Sequence, residues 1–402
     1  MELFNALVQD EESEGIIFVA ACRSEINKGS PWIQARRTME DDGLVIKSIE
    51  IGNLTEKAVH NLVGDLLNLP PRLSKTLSQI AWLQTKGNPL FLVEFLRSLE
   101  YEGLLTRDDE TLTWTWDEQK ILLSETCCSY SDVFGLISGK IEKLSKSLKE
   151  LLKIASCIGA SFDSAVLKSS ASLSIKKPLT LALEKELLLF DARGGKYKFV
   201  HDRIQQAAYS LIPESERAAF HLAVGRNLHR KLSSTLLEKH VFVVLNQFIR
   251  GTNLLDSHSE KYRIASLCLS AVIKASKKSG FRLAARYADF GISLLGMWGW
   301  KDEYDLTLAL YSSACEVQSC IGNFERLDFF VGEIFENAHT FEDKVRAYVI
   351  QVYSLGVRDR KQEAIEIGLG ALYQLGEPFP FHVKKSNLMA ESKFGFAKIL
   401  LD

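Results

Sequence analysis

Apolar residues recur at helical spacing over most of the chain. In "LTEKAVHNLVGDLL" (54–67), in 71–87 and in the segment that restarts at residue 88 they fall three or four apart, the period that turns one helix face toward a core. A Thr with Glu56 close behind opens the first of these, and Gly87 stops the second. Asn88 is a natural N-cap for the third, and Pro89 takes its first helical position, where the missing N–H costs nothing. Two stretches break the helical period. "GIIFVAACR" (15–23) is a short apolar run, and "LVIKSIEIG" (44–52) contains an alternating segment. Both predict strands, the first a buried strand of a parallel sheet with functional groups at its C-terminal end. "LLTRDDETLTWTWD" (104–117) predicts strand–turn–strand.

Residues 133 to 213 read as a compact unit. Helical periods cover roughly 133–144, 146–158, 162–170 and 177–189. "LLLFDARGGKYKFVHD" then predicts a hairpin turning at Gly194-Gly195, closed by a helix over 203–211. Helices followed by one small hairpin predict a winged helix. From about residue 214 only helix pairs follow. "FRLAARYADFGISLLG" (281–296) and "KQEAIEIGLGALYQLG" (361–376) share Ala, then a small residue, then Leu-Gly at matching offsets. Repeats of about 40 residues, stacked in the tetratricopeptide manner, fit that spacing. The open helical pattern "SKFGFAKILLD" at the end reads as a truncated solenoid.

Composition changes this picture little. The 402 residues are 46% hydrophobic and 25% charged, with a net charge of −2, which is ordinary for a globular protein of two to four domains. The charge gives no global reason to expect nucleic acid or an anionic membrane as partner, and no apolar run approaches the roughly 18 residues of a membrane span. The seven cysteines form no CxxC, so reduced, buried thiols in a cytoplasmic protein are expected.

Candidate chemistry is sparse. GxxxxGK[ST] is absent; "GLISGKI" (135–141) is one residue short between its glycines and lacks the Ser/Thr that would ligate Mg²⁺. No apolar run ends in paired acids. Residues 1–402 alone are therefore not expected to hydrolyse a nucleotide by a P-loop mechanism. Arg23, after its strand, is either a surface arginine or a charge sensor for a phosphate. "KGNPLF" (86–91) is either capping grammar or a rigid wall for a flat base. In "KFVHDRIQQAAYSLIP" (198–213), Asp202 can cap the following helix, a sufficient structural task. His201 is either a structural histidine or a hydrogen-bond donor aimed at an anion. His221, His229 and His240 are spaced by eight and eleven, which fits no usual metal-ligand pattern. Trp114 and Trp116 share one strand face and predict packing.

The order of these signals carries more than any one of them. Arg after a strand, the GNPxF break, "WTWD", "LLKIASCIGASFD" (151–163), and "YKFVHDRIQQAAYSLIP" with "FHLAVGRNLHRKL" behind it resemble the Orc1-like AAA/STAND signalling ATPase module, found beside kinase domains. The resemblance covers nearly the whole chain, most closely at 81–105 and 150–230. It implies that Arg23 senses the γ-phosphate on a sensor-1 strand and that Asn88-Pro89 belong to a GxP motif, with Pro89 near adenine. It implies that "VHD" is an MHD-like motif, with His201 on the β-phosphate of ADP and Asp202 bracing the junction. ATP/ADP, with Mg²⁺ in the intact module, is the implied cofactor. Other protein domains are the implied partners of the repeats, and homo-oligomer formation on activation stays open. The family's Walker A and Walker B precede its sensor-1 strand, so this chain reads as starting just after Walker B.

The expectation is thus a mainly α chain. Residues 1–53 would be the C-terminal edge of a P-loop α/β domain, 54–132 a helical lid with hairpin, 133–213 a winged helix, and 214–402 a tetratricopeptide-like α-solenoid. It would serve as a nucleotide-dependent signalling switch, with no hydrolysis by itself. The alternative is a nucleotide-independent helical-repeat scaffold. Nucleic-acid binding through the winged helix is disfavoured, because Lys185 sits between Glu184 and Glu186.

Overall fold

A computed structural model describes residues 17–22, 30–108, 113–124, 127, 133–171 and 174–377. The chain divides into two units, Met1–Ser131 and Asp132–Asp402. It is mainly helical, as the spacing predicts.

The first unit begins with α1 (Pro31–Asp41), then α2 (Glu56–Leu67), α3 (Pro71–Thr85) and α4 (Pro89–Tyr101). Strands β1 (Leu105–Arg107) and β2 (Trp114–Trp116) pair antiparallel, with Leu105 opposite Trp116, and α5 (Glu118–Leu122) follows. Helix α3 packs on α2, α4 and α5, and α4 on β1. Val59, Val63, Leu77, Leu92, Phe95, Leu99, Leu105 and Ile121 are wholly buried between them, each worth about 1.5–3 kcal/mol relative to exposure. The two N-terminal strands predicted for 15–23 and 44–52 do not form among the described residues. Residues 17–22 and 44–52 hold no regular element, and Val45 and Ile51 are 98% and 95% exposed. A strand needs a neighbour for its N–H and C=O groups, and neither run pairs with another described strand.

The second unit opens with α6 (Val133–Glu142) and α7 (Lys146–Ile158), then β3 (Ser161–Asp163), α8 (Ser164–Ser170) and α9 (Lys176–Glu184). Strands β4 (Leu188–Asp191) and β5 (Lys196–Phe199) form the hairpin, and α10 (Asp202–Ser210) closes the group. The sheet is antiparallel in the order β3-β5-β4. Asp191 Oδ1 accepts from the Arg193 and Gly194 amides at the turn, with Gly195 left-handed at φ 63°. Two boundaries differ from the periodicity. The helix predicted for 177–189 stops at Glu184, because Glu186 turns left-handed and the Leu187 amide bonds back to the Ala182 carbonyl. The helix predicted from 162 starts at Ser164, because residues 161–163 pair with β5.

Beyond the sheet, α11 (Arg217–Lys231), α12 (Ser234–Lys239) and α13 (Val241–Arg250) lead into three helix pairs. These are α14 (His258–Ser276) with α15 (Phe281–Leu295), α16 (Tyr304–Ile321) with α17 (Phe324–Asn337), and α18 (Phe341–Val357) with α19 (Lys361–Gln374). Helix α16 packs on α14 as well as α15, and α18 on α16 as well as α17, so successive pairs stack as repeats. The shared small residues sit at these crossings. A Cβ on Gly291 would lie 2.9 Å from Cys268 Cβ and 3.2 Å from Leu310; Ala284 and Ala364 are buried at matching places. Cys268 and Cys315 are buried in α14 and α16. The closing pattern "SKFGFAKILLD" lies outside the described residues.

Candidate functional site

In the first unit the candidate residues sit at the α3–α4 break. Helix α3 ends with Lys86 and Gly87 both left-handed, at φ 49° and 74°. The segment before α2 is stitched to that break: the Leu54 amide donates to the Gly87 carbonyl at 2.8 Å, and Asn53 Nδ2 donates to the Lys86 carbonyl at 2.9 Å. Gly87 is required here on two counts. Its φ is positive, and a Cβ would stand 2.0 Å from the Leu54 oxygen. Asn88 then caps α4, its Oδ1 accepting from the Phe91 amide at 3.0 Å, and Pro89 is exposed at the first turn.

Beside the stitched segment, α2 and α3 enclose an open groove of about 470 Å³ lined by Thr55, Glu56, Lys57, His60, Lys75 and Ser78. Thr55 caps α2 through the Ala58 amide. Sequence reasoning passed over Lys57, His60 and Lys75. The three-residue spacing of Lys57 and His60 on one helix face was the available signal, but their meeting with Lys75 depends on how α2 and α3 pack.

In the second unit His201 and Asp202 stand where β5 meets α10. His201 is extended, at φ −146° and ψ 149°, and is itself the N-cap: its Nδ1 accepts from the Arg203 amide at 3.1 Å. This corrects the expectation that Asp202 caps the helix. A cap residue must lie outside helical φ/ψ, and Asp202 is already the first residue of α10, placed where an acid favours the helix dipole. His201 Nδ1 also lies 2.6 Å from Asp202 Oδ1, with the two side chains 40% and 41% exposed. One nitrogen cannot serve both neighbours at once. In the neutral Nε2–H tautomer Nδ1 accepts from Arg203; in the neutral Nδ1–H tautomer Nδ1 donates to Asp202 and Nε2 is an acceptor. In the doubly protonated ring Nδ1–H donates to Asp202, and Nε2–H remains. An N–H stands at Nε2 in the tautomer that accepts from Arg203 and in the doubly protonated ring.

Ile204, Ala207 and Ala208 bury the inner face of α10 against α6 and α7. The cap is therefore held by a packed helix. Arg23 lies outside the described residues. Trp114 and Trp116 are half-buried on one face of β2, and Arg107 lies 6.0 Å from the Trp114 ring. His221 is buried, His229 meets the edge of Phe248, and His240 Nε2 lies 3.1 Å from Asp163. Among the described residues no group of three or more His, Cys, Asp or Glu is placed to hold a metal ion, and no helix is long and apolar enough to cross a membrane.

No family model matches the chain. Among curated proteins it is similar to the hybrid signal transduction histidine kinase G of Dictyostelium discoideum, 25% identical over 399 residues. That match takes in 83% of this chain but spans 11% of the relative. Among solved structures it is similar to a Signal Transduction ATPase with Numerous Domains (STAND) protein with a tetratricopeptide repeat sensor from Pyrococcus horikoshii. The identity is 16% and the TM-score 0.39, over 81% of this chain and 48% of that one.

Proposed function

We propose that the chain is the switch and sensor part of a signalling protein of the AAA/STAND type, responding to adenine nucleotide. The observation that carries this reading is the His201 cap. A half-exposed imidazole at the start of a packed helix carries an Nε2–H donor whenever its Nδ1 accepts from the Arg203 amide. A donor held in that way suits an anionic oxygen, such as the β-phosphate of ADP. In the first unit, exposed Pro89 on its stitched break offers a rigid apolar face to an adenine ring. The β3-β5-β4 sheet with α6 to α10 is read as a winged helix, and the stacked pairs from α14 onward as a tetratricopeptide-like region that binds protein partners. Similarity to a signal transduction histidine kinase supports a place in signalling. Bound nucleotide would supply the phosphate charge.

Calorimetric titration of the full-length protein with ADP tests the reading. His201→Ala is expected to weaken ADP about ten-fold, or 1.4 kcal/mol; equal affinity in wild type and variant overturns it. One observation favours the scaffold reading instead. Val349, Tyr353 and Val357 form a stripe at four-residue spacing on α18, exposed by 46%, 69% and 60%, the mark of a face that binds another protein. On that reading saturating ADP leaves the melting temperature unchanged; on the switch reading it raises it.

A further inference from the structure

Helix α7 ends at Ile158, so the carbonyls of its last turn have no partner within the helix. Two glutamines from other helices take them. Gln205 Nε2 of α10 donates to the Ser156 carbonyl at 3.3 Å, and Gln247 Nε2 of α13 donates to the Cys157 carbonyl at 2.9 Å. The second bond fixes which way the Gln247 amide faces, because a carbonyl accepts only from the NH₂ end. Its Oε1 is then the atom 2.7 Å from His221 Nδ1, so Nδ1 carries the proton and donates. A neutral ring protonated at Nδ1 is an acceptor at Nε2. Tyr209 Oη of α10, at 3.0 Å, therefore donates to it. The result is a chain of three hydrogen bonds with a single polarity: Tyr209 to His221, His221 to Gln247, Gln247 to the Cys157 carbonyl. His221 and Gln247 are 2% and 1% exposed, so water does not replace a broken member without structural opening.

We propose that this relay is the joint that fixes α10 in position between the end of α7 and the repeat-side helices α11 and α13. Helix α10 is gripped at both ends, by Gln205 near its start and Tyr209 at its finish. Arg217 of α11 adds to the grip, with its guanidinium 4.9 Å from the Tyr209 ring and Nε donating to the Ile212 carbonyl at 3.3 Å. A shift of α11 or α13 would have to break the relay or drag α10 with it, and α10 begins at the His201–Asp202 cap. The joint acts within the second unit and stands apart from the nucleotide reading; only its consequence for an anion at His201 rests on that reading.

The test is hydrogen exchange on the whole protein without nucleotide, comparing Tyr209→Phe and Gln247→Leu with wild type. The joint predicts that amides of 203–212 exchange at least about five-fold faster in either variant, while those of 304–374 stay within about two-fold. No change at 203–212, or an equal rise in both regions, overturns it. Nitrogen-detected NMR of the His221 ring gives an independent check. The proton is expected on Nδ1, and a proton found on Nε2 overturns the relay's polarity. If wild-type protein binds no ADP, the nucleotide reading fails and the exchange result still decides the joint.

Discussion

At the scale of single residues, His201 has a structural task and a proposed ligand task on different ring nitrogens, so substitutions separate them. Asn can replace the Nδ1 acceptor at an N-cap, whereas Ala cannot. His201→Ala is expected to cost about 1 kcal/mol in urea denaturation and His201→Asn only a few tenths; equal losses would show that the cap bond to Arg203 contributes nothing. Gly87 has no such latitude. Its left-handed φ and the 2.0 Å approach of Leu54 oxygen make Gly87→Ala destabilising by about 2–3 kcal/mol, read in the same denaturation experiment. His221 adds a pH dependence. Burial, above all, holds its pKa below the ordinary 6.5; the Gln247 bond opposes this, and Arg250 and Arg217 add to it. Tyr209 faces it from α10. The unfolded chain therefore takes up the proton more readily than the folded one. The contribution of His221 is complete above pH 6.5 and is lost as pH falls from there through the folded pKa. His221→Gln should flatten the stability profile between pH 7.5 and 5.5, and an unchanged slope would remove His221 as its source.

At the scale of elements, the helices were legible where an apolar stripe coincided with a cap. Thr55 and Asn88 announce α2 and α4 in this way. Elements were missed where the deciding contact is remote in sequence. Helix α1 gives a weak signal because, among its described residues, only Ala35 and Met39 are buried apolars, while Trp32 and Ile33 are half-buried. The runs at 15–23 and 44–52 have strand-like patterns, but a pattern supplies no pairing partner. The stop of α9 depends on left-handed Glu186, a residue with no local mark of that conformation. Because Glu there pays a steric penalty that glycine does not, Glu186→Gly is expected to stabilise by about 0.5–1 kcal/mol, measured as a raised urea midpoint. The candidate site was legible as residue types in order, Asn88-Pro89 and His201-Asp202. The assignment of the cap to His201 was not, since backbone dihedrals on either side of one peptide decide it.

At the scale of the whole molecule, the second unit is held along its length by contacts between near neighbours. Arginine ion pairs cross between helices: Arg226 of α11 to Glu260 of α14, Arg326 of α17 to Asp289 of α15, Arg346 of α18 to Glu316 of α16, and Arg358 just past α18 to Asp328 of α17, at 2.7, 3.1, 2.6 and 2.8 Å. These are mostly solvent-exposed pairs, worth roughly 0–1 kcal/mol each and screened by salt. The buried small-residue crossings carry more of the stability. Cys268 lies at the Gly291 crossing and Cys315 is buried in α16, and burial raises both thiols above their usual range, Cys315 to about 12. Cys320 is exposed. The stack thus contains its own clocks. An alkylating reagent would mark Cys320 without any opening, and would mark Cys268 and Cys315 only at the rates at which α14–α15 and α16–α17 part, timing the breathing of those two pairs separately.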